Sequence, residues 1–176
     1  MPILEETSTG YRLVRLLEED APAALRIFNE HAATGFAAYM EEPAPATFIT
    51  GLLRSAQGYP ALAAETQAGE MVGFGLLRPY SPVPAFSETA VTTIFLAREH
   101  TRQGIGSAML ARMLQEAEAL GITRILAHIS SENTDSICFH KAHGFEVCGQ
   151  FPSVGKKWDR PFDVVWMVKP LSLSDE

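Results

Sequence analysis

Between positions 89 and 120 a β-branched run, a polar turn with two glycines and a one-faced amphipathic segment follow one another without a break. Residues 89–97 are rich in Val, Thr, Ile and Phe and lack Gly and Pro, which predicts a strand. Over 107–120, Leu110, Met113, Leu114, Ala117 and Leu120 share one helical face, and Gly121 stands where a left-handed cap would end the helix. A strand that feeds a helix through Glu99-His100-Thr101-Arg102-Gln103-Gly104-Ile105-Gly106-Ser107 restricts the chain to folds in which a helix crosses over a sheet. The first amides of such a helix have no helical acceptor, glycine admits close approach, and the helix dipole adds positive potential, so the turn suits a diphosphate. A plain tight connection fits the two glycines equally well.

Other phosphate motifs are absent. A Walker loop needs Gly-Lys-Ser/Thr after four spacers, a dinucleotide fingerprint needs a small residue where Met109 stands, and Gly155-Lys156-Lys157 lacks both the upstream glycine and the hydroxyl.

Around the turn, residues 11–17 predict a first strand. Glu18, Glu19, Asp20 and Pro22 start a helix that carries Ala24, Ile27, Phe28 and His31 at helical spacing as far as Thr34 and Gly35. A weaker helix follows Pro45 with Phe48, Ile49 and Leu52 and ends near Gly58, and 59–66 with 71–77 read as a hairpin. Beyond the amphipathic helix, 122–130 predicts a strand, 133–143 a helix ended by Gly144, and 145–151 and 162–168 closing strands joined by a long loop.

Such an order needs one core, and 176 residues with 47% hydrophobic and 20% charged content can build it without metal or disulfide staples. No composition shift divides the chain, so 1–176 reads as a single domain with its core over about 11–170. A formal charge of −7 disfavours nucleic acid or an anionic membrane as partner and requires any anionic ligand to be held locally. No apolar stretch is long enough to span a bilayer, the start is acidic, and Cys138 and Cys148 form no cluster, which together lead us to expect a cytoplasmic protein. His31, His100, His128 and His143 show no ligand spacing, so no metal is expected. Trp158 and Trp166 are expected in the core or an interface, and the polar tail 172–176 is expected to fray.

The turn Thr101-Arg102-Gln103-Gly104-Ile105-Gly106 resembles the acyl-CoA loop of the GCN5-related N-acetyltransferase (GNAT) superfamily, Gln/Arg-x-x-Gly-x-Gly/Ala, with Thr101 in the first position. Asn133-Thr134-Asp135-Ser136 through Gly144-Phe145 resembles the superfamily's Asn-x-x-Ser…Gly-Phe segment at the expected separation. Phe139-His140, Val154-Gly155-Lys156 and Asp163-Val164, with Asn29, Phe36 and Pro43 upstream, are similar to the phosphinothricin acetyltransferase group within it.

The resemblance implies an α/β (α+β) fold: a mixed, mostly antiparallel sheet of six or seven strands, splayed between the fourth (89–97) and fifth (124–130) and flanked by about four helices. It implies acetyl-CoA as cosubstrate and no metal. Main-chain groups of Ile94, Phe95 and Leu96 would pair with the pantetheine amides, one N–H being placed for the oxyanion. The diphosphate would lie on Arg102, Gln103, Gly104, Ile105, Gly106 and Ser107. Asn133 would bond the pantetheine arm with Ser136 in support, the alternative being a helix cap and a first-turn serine.

Two proton-handling groups are sought, because the amine loses a proton and the thiolate is best expelled protonated. His140 falls where relatives carry an acid near the sulfur; a ring packed on a helix face is the alternative. Relatives usually carry a Glu in the 89–97 strand two residues after a Thr, and here that position is Val91. Glu88 would serve as base if a bulge turned it to the same face; Glu41, Glu42 and water are the other routes. Phe36, Tyr39 and Tyr80 would wall the substrate pocket, and Arg78 or Lys156 would clamp a carboxylate or phosphinate unless they are plain surface charges.

The implied function is transfer of acetyl from acetyl-CoA to the primary amine of a small amino-acid-like substrate, of the phosphinothricin or methionine sulfoximine type, by direct attack in a ternary complex. The alternatives are acetylation of a protein amine and an acyl-CoA-binding module without catalysis, the latter motivated by Val91 and Thr101. Relatives dimerise through their closing strands, so a homodimer is implied as well.

Overall fold

The computed structural model describes residues 3–171, and the 172–176 tail lies outside the described residues. One sheet holds eight strands in the order β1-β2-β3-β4-β5-β6-β8-β7. They are β1 (Ile3–Glu6), β2 (Arg12–Arg15), β3 (Ala61–Glu65), β4 (Met71–Pro79), β5 (Thr89–Leu96), β6 (Arg124–Ser130), β7 (Glu146–Lys157) and β8 (Arg160–Pro170). Four helices flank it: α1 (Ala21–Thr34), α2 (Thr47–Ser55), α3 (Ile105–Ala119) and α4 (Thr134–Ala142). All neighbouring strands are antiparallel except β5 and β6, which α3 connects as the crossover.

The sheet has one strand more than expected. Ile3-Leu4-Glu5-Glu6 is short, acidic and mostly exposed, as befits an edge strand, and its apolar signal is slight. The closing strands are also longer than expected, and the long loop between them is a two-residue turn. Trp158 and Asp159 have φ of 49° and 60°, the hairpin geometry that matches strand twist, although neither is the glycine or asparagine that usually announces it.

Helix periodicity and strand alternation sort the apolar residues into two cores, one on each face. Met109, Leu110, Met113 and Ala117 of α3 pack with Ala127 and Ile129 of β6 and Val165 and Met167 of β8, and Ile137 and Phe139 of α4 join them. On the other face Ala24, Ile27 and Phe28 of α1 and Ile49 of α2 pack on Ala63, Phe74 and Phe95.

The feature that positions the site is a gap in this sheet. β5 and β6 pair only where Thr89, Ala90 and Val91 meet Arg124, Ile125 and Leu126. Beyond that point each strand follows its other neighbour, since β4 holds β5 as far as Leu96 and β8 holds β6 as far as Ser130. The N–H of Ala97 bonds the Val72 carbonyl on the β4 side at 2.8 Å. By alternation Phe95 and Thr93 also turn their main chain to β4, and Thr92, Ile94 and Leu96 turn theirs to the gap.

Candidate active site

Two cavities meet at the gap. The larger, about 820 Å³, runs over the N-terminus of α3 past Arg98, Arg102, Gly104, Gly106 and Ser107. The smaller, about 320 Å³, lies between the 37–40 loop and strands β4, β5 and β6, lined by Phe28, Phe48, Tyr39, Arg78 and His128 among others. Ala37, Ile94, Phe95, Asn133, Ser136 and His140 line both, so these six form the junction.

In the larger cavity Gly104 has φ 80°, a left-handed conformation that brings the chain abruptly into α3. The first helical bond runs from Ala108 N–H to the Gly104 carbonyl, which leaves Ile105, Gly106 and Ser107 N–H groups without a helical acceptor. The His143 ring donates through Nδ1 to the Phe139 carbonyl at 2.8 Å, so its Nε2 accepts from the Ser107 hydroxyl at 3.0 Å and ties the turn to α4. Arg102 is exposed and loosely paired with Asp135 at 3.5 Å. Gln103 and Ile105 do not line the cavity: the Gln103 side chain bonds Tyr11 and the Glu99 carbonyl, and Ile105 is fully buried, so each offers only main chain.

Along the gap, Ile94 offers a free edge, whereas the Leu96 carbonyl already accepts from His31 Nε2 at 2.7 Å. Phe95 departs from the expected role. Its main chain is paired with β4, and its ring contributes a wall, packed on Phe28 and Phe74.

Asn133 caps α4, its side-chain oxygen accepting from Ser136 N–H at 3.3 Å, and its amide nitrogen is left over at the junction. His140, 7% exposed, stands one turn further with Nδ1 donating to the Ser136 carbonyl at 2.8 Å. That bond fixes the tautomer and leaves Nε2 as an acceptor. Burial pushes the His140 pKa down; the Ser136 carbonyl opposes this and nearby His143 adds to it.

The smaller cavity holds a cluster that sequence reading missed. Ile125, Ala127 and Ile129 of β6 face the α3 core, so His128 faces the α1 side, opposite Trp166 of β8. Tyr39 Oη is 3.2 Å from both His128 Nδ1 and the His128 carbonyl, and Arg78 Nη2 is 3.5 Å from His128 Nε2. Burial, then the Arg78 charge, lower the His128 pKa, and loss of solvent around the Tyr39 hydroxyl pushes its pKa up to about 12. The alternation in 124–130 was the available signal.

Other expected residues lie elsewhere. Tyr80 packs on Phe86 and Trp166, behind His128 rather than in the cavity wall. Phe36 lines the larger cavity, edge-on to Trp158 and Phe162. Lys156 is a surface charge paired with Asp159, and its neighbour Lys157 is the buried one. Lys157 Nζ donates to the carbonyls of Ala32, Gly35 and Ala38 at 2.7, 2.7 and 2.8 Å, pinning the loop after α1. Glu88 lines neither cavity; its carboxylate accepts from the Thr123 hydroxyl at 3.1 Å, at the closed end of the β5–β6 pair. Glu41 accepts from Trp158 N–H at 2.8 Å, and Glu42 is exposed outside both cavities.

The arrangement fits an extended acyl-CoA: free amides for an anion at one end, a strand edge in the middle, and in the smaller cavity a buried Thr92 hydroxyl without a partner among the described residues. Among the described residues no group of His, Cys, Asp and Glu is placed to hold a metal ion, and no helix is long and apolar enough to cross a membrane.

Comparison with known proteins agrees. A family model described as "Acetyltransferase (GNAT) family" matches residues 13–145. The chain is 33% identical over 153 residues to the L-methionine sulfoximine/L-methionine sulfone acetyltransferase of Pseudomonas aeruginosa, covering 84% of this chain and 87% of that protein. It is 31% identical over 167 residues to the phosphinothricin N-acetyltransferase of Alcaligenes faecalis, covering 93% and 83%. The crystal structure of a GNAT superfamily phosphinothricin acetyltransferase from Sinorhizobium meliloti in complex with acetyl-CoA superposes with a TM-score of 0.86 at 27% identity, covering 93% of this chain and 89% of that one.

Proposed function

We propose, for a chain that belongs to the acetyltransferase (GNAT) family and is an acetyl-CoA-dependent N-acetyltransferase, that the acceptor is the primary amine of a small amino-acid-like molecule of the phosphinothricin or methionine sulfoximine type, attacked directly in a ternary complex. The observation that carries this reading is Arg78, a guanidinium in the wall of an otherwise mostly apolar cavity of about 320 Å³ that opens beside the junction. A planar guanidinium takes a carboxylate through two parallel hydrogen bonds, and a cavity of this size suits a small ligand. The names of the relatives support the same substrate class.

Within this reading the free N–H groups of Ile105, Gly106 and Ser107, with Arg102 above them, hold the diphosphate. The Ile94 edge and the Leu96 N–H meet the pantetheine amides, and the Asn133 amide nitrogen donates to the same arm. A gap-facing N–H of β5 stabilises the oxygen as the carbonyl becomes tetrahedral. Acetyl-CoA supplies an activated acyl group whose thiol has a pKa near that of cysteine, about 8.5. His140 is neutral at rest, so its role differs from that of a resident acid: Nε2 takes the proton shed by the attacking nitrogen and passes it to the departing sulfur.

The test is thiol release from acetyl-CoA across amino acids, phosphinothricin, methionine sulfoximine and basic peptides, with calorimetric binding of CoA alongside. Turnover of the small amino acids is expected, with Arg78→Ala raising their KM roughly ten- to a hundredfold, the equivalent of one charge-assisted hydrogen bond, while CoA affinity is unchanged. Turnover confined to peptides would establish a protein amine as acceptor, and CoA binding without turnover would establish a binding module. The exposed thiols of Cys138 and Cys148 suit a reducing cytoplasm, and exposed Val147, Phe151 and Val154 on edge strand β7 suit a homodimer.

A further inference from the structure

We infer that His128 is a catalytic base of this site, the group that takes the first proton from the acceptor's ammonium. The inference rests on the acetyl-transfer reading above and extends it to a residue on β6.

The argument begins with a proton count. An ammonium nitrogen that becomes an amide nitrogen loses two protons: one ends on the sulfur of free CoA, the other in solvent. Two acceptors are therefore useful. Among the described residues no carboxylate lines the smaller cavity, whose titratable side chains are Tyr39, Arg78, His128 and His140. A phenol pushed up to about 12 and a guanidinium are both already protonated at neutral pH, which leaves the two histidines. In the larger cavity Glu132 is bonded to Arg160 and Asp135 is paired with Arg102, on the flank toward the anion end.

The hydrogen bonds around His128 fix its proton. Arg78 can only donate, so the His128 Nε2 that it faces at 3.5 Å carries a lone pair. Nδ1 then bears the hydrogen and donates to Tyr39 Oη at 3.2 Å, and the Tyr39 hydroxyl donates on to the His128 carbonyl at 3.2 Å. Every donor in this chain has an acceptor, and the Nε2 lone pair, held by Arg78 only at 3.5 Å, is released to the ammonium when a substrate carboxylate draws the guanidinium to itself. Trp166 of β8 packs on the ring at 5.2 Å and brings no charge, so Arg78 of β4 and Tyr39 of the loop are the titratable or charged groups that face it. The Arg78 cation disfavours a second positive charge beside it. A carboxylate seated on Arg78 cancels that charge, so an acidic amino-acid substrate arms the base by binding.

The steps balance. His128 Nε2 accepts one proton from R–NH3+, and the freed lone pair attacks the thioester carbon to form C–N. The carbon–sulfur bond then breaks with its electron pair on sulfur. His140 takes the second nitrogen proton and delivers it there, while His128 returns the first to solvent.

The test begins with the unaltered enzyme and amino-acid analogues, then compares His128→Asn and His128→Gln. Both variants should lose a hundredfold or more in kcat at pH 7 and keep their affinity for CoA in calorimetry, which certifies the fold. Their rates should also climb about tenfold per pH unit where the unaltered enzyme has levelled off. In the unaltered protein, ring nitrogen NMR at pH 7 should find the hydrogen on Nδ1. Wild-type kcat and pH profile in His128→Asn would overturn the assignment alone, as would a hydrogen on Nε2. No turnover of any amine by the unaltered enzyme would overturn acetyl transfer, and the assignment with it.

Discussion

His31 on α1 and Leu96 at the end of β5 are joined across 65 positions by one hydrogen bond, 2.7 Å from ring Nε2 to carbonyl oxygen. The bond holds the strand just where β6 has left it, so the open edge keeps its shape without a sheet neighbour on that side. His31→Ala removes about 1 kcal/mol from that anchor. Acetyl-CoA binding should weaken roughly fivefold in calorimetry, with kcat at saturation little changed; unaltered affinity would mean that β5 needs no anchor.

Lys157 bonds three carbonyls around the end of α1, and Lys157→Met leaves all three without their buried donor. The expected loss of stability is about 3 kcal/mol or more, read from the urea midpoint. Because the pinned loop carries Tyr39, the KM for the amine should rise in the folded fraction while CoA affinity holds.

Burial lowers the pKa of both His128 and His140 below the ordinary 6.5. The unfolded chain takes up these protons near pH 6.5, so below that value the unfolded state binds more protons than the native one. The stability tied to the neutral rings is complete above pH 6.5 and lost as the pH falls through the native values. The urea midpoint should drop as the pH falls below 6.5, and His140→Gln should flatten that drop; a midpoint as steep in the variant would place the proton uptake elsewhere.

Glu88 closes the β5–β6 junction through Thr123 and does not reach either cavity. Glu88→Gln keeps the shape and should retain kcat within about twofold, since the carboxylate carries no proton in the reaction, with any cost appearing in stability at the level of a surface contact. A hundredfold loss of kcat would return Glu88 to the mechanism.

Much of the fold was legible because it is written locally. The α3 stripe, the caps at Gly121 and Gly144 and the order of strands follow from periodicity and glycine placement, and the glycines at 104 and 106 announced the sharp turn that leaves the first amides of α3 without helical acceptors. What escaped depends on contacts distant in sequence. Ile3–Glu6 pairs with β2 although little of it is buried, and the Trp158-Asp159 turn has no glycine. That Lys157 rather than Lys156 is buried follows from alternation along a strand read as loop. His128 gained meaning once topology set it between Tyr39 and Arg78, residues 89 and 50 positions away. Which main-chain edge of β5 is free also depends on register against β4, which composition does not encode.

The Lys157 clasp also bears on how the protein is made. Its three acceptors precede it by 119 to 125 positions, so on the ribosome the loop after α1 emerges long before the side chain that secures it. Domains generally fold as units during synthesis, and this loop must wait for the last hairpin. Because β8 also holds β6 beyond the gap, the groove over α3 and the amine pocket are completed together, by the same closing hairpin.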